Sequence, residues 1–218
     1  HRVIAFEPLR TNIDAFNLLL ETHKSKVTLI EKGVGDKPVV LQMRGNSGGK
    51  SKVEGKLAYD VGATIQMAGC DPKRVHCEQI DVTTLDIELA NFESIFVMKL
   101  DIQGFETNAF RGGTSLLARR AVDFFLIEFD PQLQRMQHGS CEEIMLLLRG
   151  AGYVLFEGAM IRKGNEFEST KLSLGDFHTF AEYVKELKEY NAYTDLVAVK
   201  YELVPEALLS RSLVEREN

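Results

Sequence analysis

The stretch Ile95-Phe96-Val97-Met98-Lys99-Leu100-Asp101-Ile102-Gln103-Gly104-Phe105-Glu106 decides the reading of the fold. Its first six residues form a short, mostly apolar run, the pattern of a strand in a parallel sheet covered on both faces. The run ends at Asp101, and the chain then enters a helix that carries Gly112-Gly113 and reaches about Arg119. A strand followed at once by a helix is one unit of an α/β fold.

Working outward, the same alternation recurs. Downstream, residues 122–129 read as a second buried strand ending in Glu128-Phe129-Asp130-Pro131. A helix over 141–149 closes at Gly150, a helix-ending glycine. A strand at 153–156 precedes a helix over 177–190 with Phe177, Phe180, Val184 and Leu187 on its apolar side. A last strand at 196–199, read as antiparallel, and a short helix at 205–215 complete the chain.

Upstream, Val3-Ile4-Ala5-Phe6 is an apolar strand that stops at Glu7-Pro8, since proline cannot continue a strand ladder and suits a helix start. Leu9, Ile13, Phe16, Leu19 and Leu20 then fall at helical spacing to about His23. Strands follow at 27–30 and 39–43, with Gly33-Val34-Gly35-Asp36 turning the chain between them. Residues 45–56 are rich in Gly, Ser and Lys and read as a loop. Residues 77–82 alternate like an edge or antiparallel strand, and Thr83-Thr84-Leu85-Asp86 starts a helix to about Ala90. The expected architecture is α/β: a mostly parallel, doubly wound sheet in one domain over 1–202, with a helical tail at 203–218.

Composition narrows the function classes. The 218 residues are 44% hydrophobic and 27% charged, with five prolines, no tryptophan and a net charge of −6. No basic field favours nucleic acid or an anionic membrane, and no run approaches the roughly 20 apolar residues of a membrane span. Cys70, Cys77 and Cys141 lack C-x-x-C spacing and read as reduced thiols, with a cytoplasmic location as the default. The five histidines show no metal spacing, the six methionines read as packing residues, and no serine sits in a Gly-x-Ser-x-Gly elbow. Lys185 to Lys188 is a solvated helix face. Gly45-Asn46-Ser47-Gly48-Gly49-Lys50-Ser51 imitates a phosphate loop, but it is one residue short and no helix pattern follows it.

Three strands end in acids: Glu7, Asp101 and Glu128. Doubly wound sheets bind ligands at the carboxyl ends of their strands, where an acid can accept the hydroxyls of a ribose. Each acid alone reads more readily as a cap on the next helix; three on one expected rim favour a site.

With these pieces in place the chain resembles the FkbM family of methyltransferases. The matching segments are Val3-Ile4-Ala5-Phe6-Glu7-Pro8, Gly33-Val34-Gly35-Asp36, Val82-Thr83-Thr84-Leu85-Asp86 and Lys99-Leu100-Asp101-Ile102-Gln103-Gly104-Phe105-Glu106, in that order. Phe110-Arg111-Gly112-Gly113, Leu126-Ile127-Glu128 and Asp195-Leu196-Val197-Ala198-Val199-Lys200 continue the likeness, which covers about residues 3 to 200. The resemblance implies a Rossmann-like methyltransferase that uses S-adenosylmethionine to methylate a hydroxyl of a small-molecule or sugar-like acceptor. It implies that Glu7 holds the ribose hydroxyls with Pro8 beside it. Gly33 and Val34 would line the adenine pocket, and Asp101 would lie near the sulfonium and methyl group. Glu106 would belong to the same rim; either Asp101 or Glu106 is then the base for the attacking oxygen, and Glu106 reads equally as a cap or brace of the helix behind the loop. No metal is implied.

One family feature is missing: the first strand and its Asp-Val-Gly-Ala-Asn-x-Gly loop precede the position of Val3 in the family pattern. An upstream segment supplying that strand is therefore expected. Tyr59-Asp60-Val61-Gly62-Ala63-Thr64-Ile65-Gln66 copies four letters of the loop but has Gln66 in place of its last glycine, and no apolar strand precedes it. Two rivals remain for the function. A nicotinamide-dependent oxidoreductase needs a G-x-G-x-x-G turn that is not visible, and a non-catalytic binding module is favoured by the missing loop.

Overall fold

The computed structural model describes residues 2–19, 26–44, 64–66, 77–158, 161–163, 166–168 and 178–209. The loop read at 45–56, the phosphate-loop look-alike and Tyr59 to Ala63 lie outside them. The chain divides into two compact units, His1–Thr84 and Leu85–Asn218.

In the first unit, strand β1 (Val3–Phe6) pairs in parallel with β2 (Val27–Ile30), and between them lies helix α1 (Arg10–Leu19). Leu9, Ile13 and Ala15 are buried, whereas Leu19 is 75% exposed, so the buried face of the helix ends a turn earlier than its apolar spacing suggests. A second sheet runs β3 (Gly33–Val34), β6 (Cys77–Thr83), β4 (Val39–Arg44), β5 (Thr64–Gln66). Here two readings change. Gly33-Val34 is not a turn but a two-residue strand, parallel to Val82-Thr83, and the turn comes after Gly35. Of the two alternatives for the strand at 77–83 the antiparallel one holds, since it pairs antiparallel with β4, and the edge one does not, since it is internal; its alternation reflects one face packed through Ile80 and Val82 and one left open. Cys77 is disulfide-bonded and Cys141 is free and buried, which corrects the expectation of uniformly reduced thiols; Cys70 lies outside the described residues.

The second unit opens with α2 (Leu85–Glu88) and centres on β8 (Val122–Phe129). Strand β7 (Ile95–Leu100) joins one side of β8 in parallel, and β12 (Ala192–Lys200) joins the other antiparallel. β9 (Tyr153–Glu157) and β10 (Ile161–Lys163) pair with β12, and β11 (Glu166–Glu168) pairs with β10, all antiparallel. The helices are α3 (Glu106–Arg111), α4 (Thr114–Ala118), α5 (Pro131–Met136), α6 (Cys141–Gly150), α7 (Phe180–Glu189) and α8 (Glu206–Leu209). The core gathers on β8: Phe125 packs against Phe110 and Tyr153, and Phe129 stacks on Tyr183. Ile144, Met145, Leu148, Leu187 and Leu196 are fully enclosed. At roughly 1.5–3 kcal/mol for each such side chain, this cluster is the principal source of the unit's stability.

Three local readings differ here. The helix expected after Glu106 is two helices, because Gly112-Gly113 interrupts it and Asp86 caps the second, accepting the Ser115 and Leu116 N–H groups at 2.9 and 2.7 Å. Gly150 lies inside α6, and it is Gly152, at φ +82°, that takes the left-handed position beyond it. β7 pairs only with β8 among the described residues, so Phe96 is 71% and Val97 54% exposed. The apolar run that reads as a fully buried strand is an edge strand here. The fold class itself is α/β with mixed sheets, each sheet containing one parallel pair.

Candidate functional site

The carboxyl ends of β7 and β8 are neighbours in the second unit, because Leu100 is in register with Ile127. Asp101 and Glu128 leave these strand ends and hydrogen-bond to each other. Gln103, at φ +55°, turns its carboxamide onto both, its Nε2 donating to Asp101 Oδ1 at 3.2 Å and to Glu128 Oε2 at 3.1 Å. Lys99 Nζ lies 2.9 Å from Asp101 Oδ2.

This crowding separates the two acids. Burial works to raise the Asp101 carboxyl, but hydrogen bonds from Lys99, Gln103 and Glu128 and the Lys99 charge outweigh it and hold Asp101 below the ordinary carboxylate range. Glu128 is pushed up to about 8, first by burial and then by the negative charges of Asp101, Glu106 and Asp130. Burial and neighbouring negative charge thus favour the protonated form of Glu128, whereas Lys99 and Gln103 favour the ionised form of Asp101.

Glu106 lies directly behind the turn and is 1% exposed. Its Oε1 accepts the Ile102 and Gly104 N–H groups at 2.8 and 3.4 Å, and Gln134 of α5 donates to its Oε2. Burial raises it to about 7 against the pull of these donors. Gln134 Oε1 in turn accepts from the Thr107 hydroxyl at 2.6 Å, and the Ser140 N–H donates to that hydroxyl at 3.0 Å.

In the first unit, the Glu7 carboxylate is turned toward its own helix. Oε1 accepts the Leu9 N–H at 2.9 Å and Oε2 accepts the Asn12 side chain at 3.1 Å. A Cβ on Gly33 would sit 3.8 Å from Pro8, so these two residues are brought together. Val34 is buried in the sheet.

Of the residues picked out by sequence, the second unit thus joins Asp101 to Glu128, with Glu106 behind them, and the first joins Pro8 to Gly33; among the described residues Glu7 follows a strand of a different sheet, so the single rim expected for the three acids is not formed by one sheet. Gln103, Gln134 and Thr107 were not picked out. Gln103 could have been found from its place between a strand-end acid and Gly104. Gln134 belongs to a helix that no apolar period marks, although Asp130-Pro131 is a cap followed by proline. Among the described residues, no group of three or more His, Cys, Asp or Glu is arranged to hold a metal ion, and no helix is long and apolar enough to cross a membrane.

Residues 1–155 match the methyltransferase FkbM domain. The chain belongs to the FkbM methyltransferase family. This match crosses the boundary between the two units and includes Glu7, Asp101, Glu106 and Glu128. The chain is also similar to a crystal structure of methyltransferase FkbM from Methylobacillus flagellatus KT, with a TM-score of 0.45 and 14% identity over 90% of this chain. It spans 36% of that longer chain. No curated protein matches.

Proposed function

We propose that this FkbM-family chain carries an S-adenosylmethionine-dependent methyltransferase activity that methylates a hydroxyl oxygen of a small-molecule or sugar-like acceptor. The carrying observation is the Asp101–Glu128 pair at adjacent strand ends, inside a segment that matches the family. The cofactor supplies an electrophilic methyl group on a cationic sulfur. A rim that holds an ionised carboxylate beside a second, proton-bearing one suits a cation, and Lys99 offsets only part of that charge.

The chain's own residues divide the work. Asp101, held ionised, would lie near the sulfonium and would orient the attacking hydroxyl and take its proton as the oxygen bonds the methyl group, leaving the cofactor's sulfur as a neutral thioether. Glu106 is enclosed and engaged by three donors, so its part is to brace the turn that presents Asp101. Glu7 holds the ribose: each carboxylate oxygen accepts more than one hydrogen bond, so capping α1 leaves capacity for a hydroxyl. Pro8, Gly33 and Val34 form the wall behind the adenine. The two units make one methyltransferase domain, as the span of the family match across both supports. The acceptor is a small molecule; neither nucleic acid nor a membrane is part of the proposal.

Calorimetry of the full-length protein with S-adenosylhomocysteine and with NAD tests the reading. Binding of S-adenosylhomocysteine is expected, and binding of NAD alone overturns it.

A further inference from the structure

Behind the rim, Glu106 belongs to a cluster of buried polar groups. Glu106 and Gln134 are each 1% exposed, Thr107 is fully enclosed, and Asn108 and Gln137 are nearly so. In an apolar core such groups cost stability unless each is paired. They are paired, and the pairing has a direction. Ile102 and Gly104 of the turn after β7 donate to one oxygen of Glu106, and Gln134 of the helix after β8 donates to the other. Gln134 is fixed in turn, since its own oxygen accepts from the N–H and hydroxyl of Thr107.

Two glycines let this linkage close. A Cβ on Gly104 would sit 2.5 Å from the Leu133 carbonyl oxygen, so the turn lies directly on the backbone of α5. A Cβ on Gly139 would sit 2.7 Å from both Gln134 Oε1 and Thr107 Oγ1. At the solvent side, Gln103 donates to Glu128, a second tie between the same two strand ends.

We propose that Gln134 is a positioning residue of the methyl-transfer site: through Glu106 it binds the turn after β7 to the helix after β8, so that Asp101 and Glu128 are presented from one rigid body. The role at the transfer site rests on the methyltransferase reading above; the mechanical linkage does not. Gln134 touches no reacting atom. It acts through Glu106 on the two N–H groups that shape the turn, and loosening such a turn misplaces the groups it carries.

Amide exchange on the full-length protein tests the linkage without any ligand. In the unaltered protein the Ile102 and Gly104 N–H groups are expected to exchange at rates within about tenfold of Gln134 and Gln137 in and after α5, as members of one cooperative unit. In Gln134→Met, which keeps the length but removes the amide, Ile102 and Gly104 should exchange at least about tenfold faster while Leu196 and Ala198 in β12 stay unchanged. Thr107→Val should act the same way more weakly, and Thr107→Ser, which restores the hydroxyl, should return the wild-type rates. Should Gln134→Met fail to fold, the unaltered protein and the Thr107 pair still decide. A turn that exchanges more than about a hundredfold faster than α5, or folded variants whose turn exchanges within twofold of wild type, overturns the linkage. S-adenosylhomocysteine affinity, expected to fall in Gln134→Met, to fall less in Thr107→Val and to return to the wild-type value in Thr107→Ser, tests the role at the site. If the unaltered protein binds no S-adenosylhomocysteine, the methyltransferase reading fails while the exchange data still judge the linkage.

Discussion

At the end of β1, Glu7 caps the helix directly behind it; at the end of β7, Asp101 leaves that work to Glu106, five residues further on. Both turns answer the same need, since N–H groups just beyond a strand have no ladder partner. The first turn uses one half-buried side chain for the purpose. The second sinks a separate carboxylate into the core and lets the strand-end acid face outward, against Lys99, Gln103 and Glu128. The difference teaches that an acid after a strand does not define a site by itself. What distinguishes the second turn is that another residue has taken over the structural duty.

The two turns differ most at their glycines. Gly104 holds φ +92°, and its added Cβ would meet backbone at 2.5 Å. Gly33 has only ordinary contacts, at 3.4 to 3.8 Å, and no positive φ. Gly104→Ala is expected to cost about 3 kcal/mol or more, since backbone strain and a backbone clash add. Gly33→Ala should cost under about 1 kcal/mol, because its neighbours need little adjustment. Urea titrations of both variants check this, and equal losses would remove the structural contrast.

The next effect is one of pH. Glu106 is raised from 4.5 to about 7, so the folded form holds its proton more tightly than the unfolded form does. Its contribution is fully present below pH 4.5 and is lost as the pH rises through about 7. In Glu106→Gln this dependence disappears. The stability difference between the variant and the wild type should therefore shift by about 3 kcal/mol between pH 4 and pH 8.5, at 1.36 kcal/mol per pH unit. A flat difference across that range would mean that Glu106 is not the enclosed acid of this turn.

How much of this could be read from the residues alone differs by element. The strand-helix alternation, the three strand-end acids and the family were legible, because apolar period and motif order are local properties. The exposure of β7 was not: Ile95 to Leu100 has the composition of a covered strand, and only the pairing shows which edge stays open. The ambiguity over Glu106, base or brace, is likewise local to the sequence. Its partners Ile102 and Gly104 are adjacent, but Gln134 is 28 residues away and in a short helix with no apolar stripe. Cys77 shows the same limit, since spacing carries no information about which thiols meet.

At the first turn, Glu7→Ala removes the acceptor for the Leu9 N–H and the Asn12 side chain. The loss of stability should be about 1 kcal/mol, the ordinary scale of a helix cap. Affinity for S-adenosylhomocysteine should fall by a further, separate amount of about 1–3 kcal/mol if the same oxygens hold the ribose. Thermal melting and calorimetry read the two effects independently. A lost cap with unchanged affinity would leave Glu7 a structural residue only.

The smallest effect on stability belongs to the most conspicuous ion pair. Lys99 and Asp101 are 2.9 Å apart, but their side chains are 62% and 40% exposed, so solvent screens the attraction and Lys99→Met should cost no more than about 0.5 kcal/mol. Its effect on titration should be plain nonetheless. Lys99 is foremost among the groups that hold the Asp101 carboxyl low, and the stability this gives is present above the ordinary value of 3.8 and fades as the pH falls through the lower folded value. Removing the ammonium should move the Asp101 midpoint upward, read from its side-chain carbonyl carbon by NMR. A midpoint that stays in place would mean that Gln103 and Glu128 alone keep Asp101 ionised, and the contrast with Glu7 would then rest on the turn and not on the lysine.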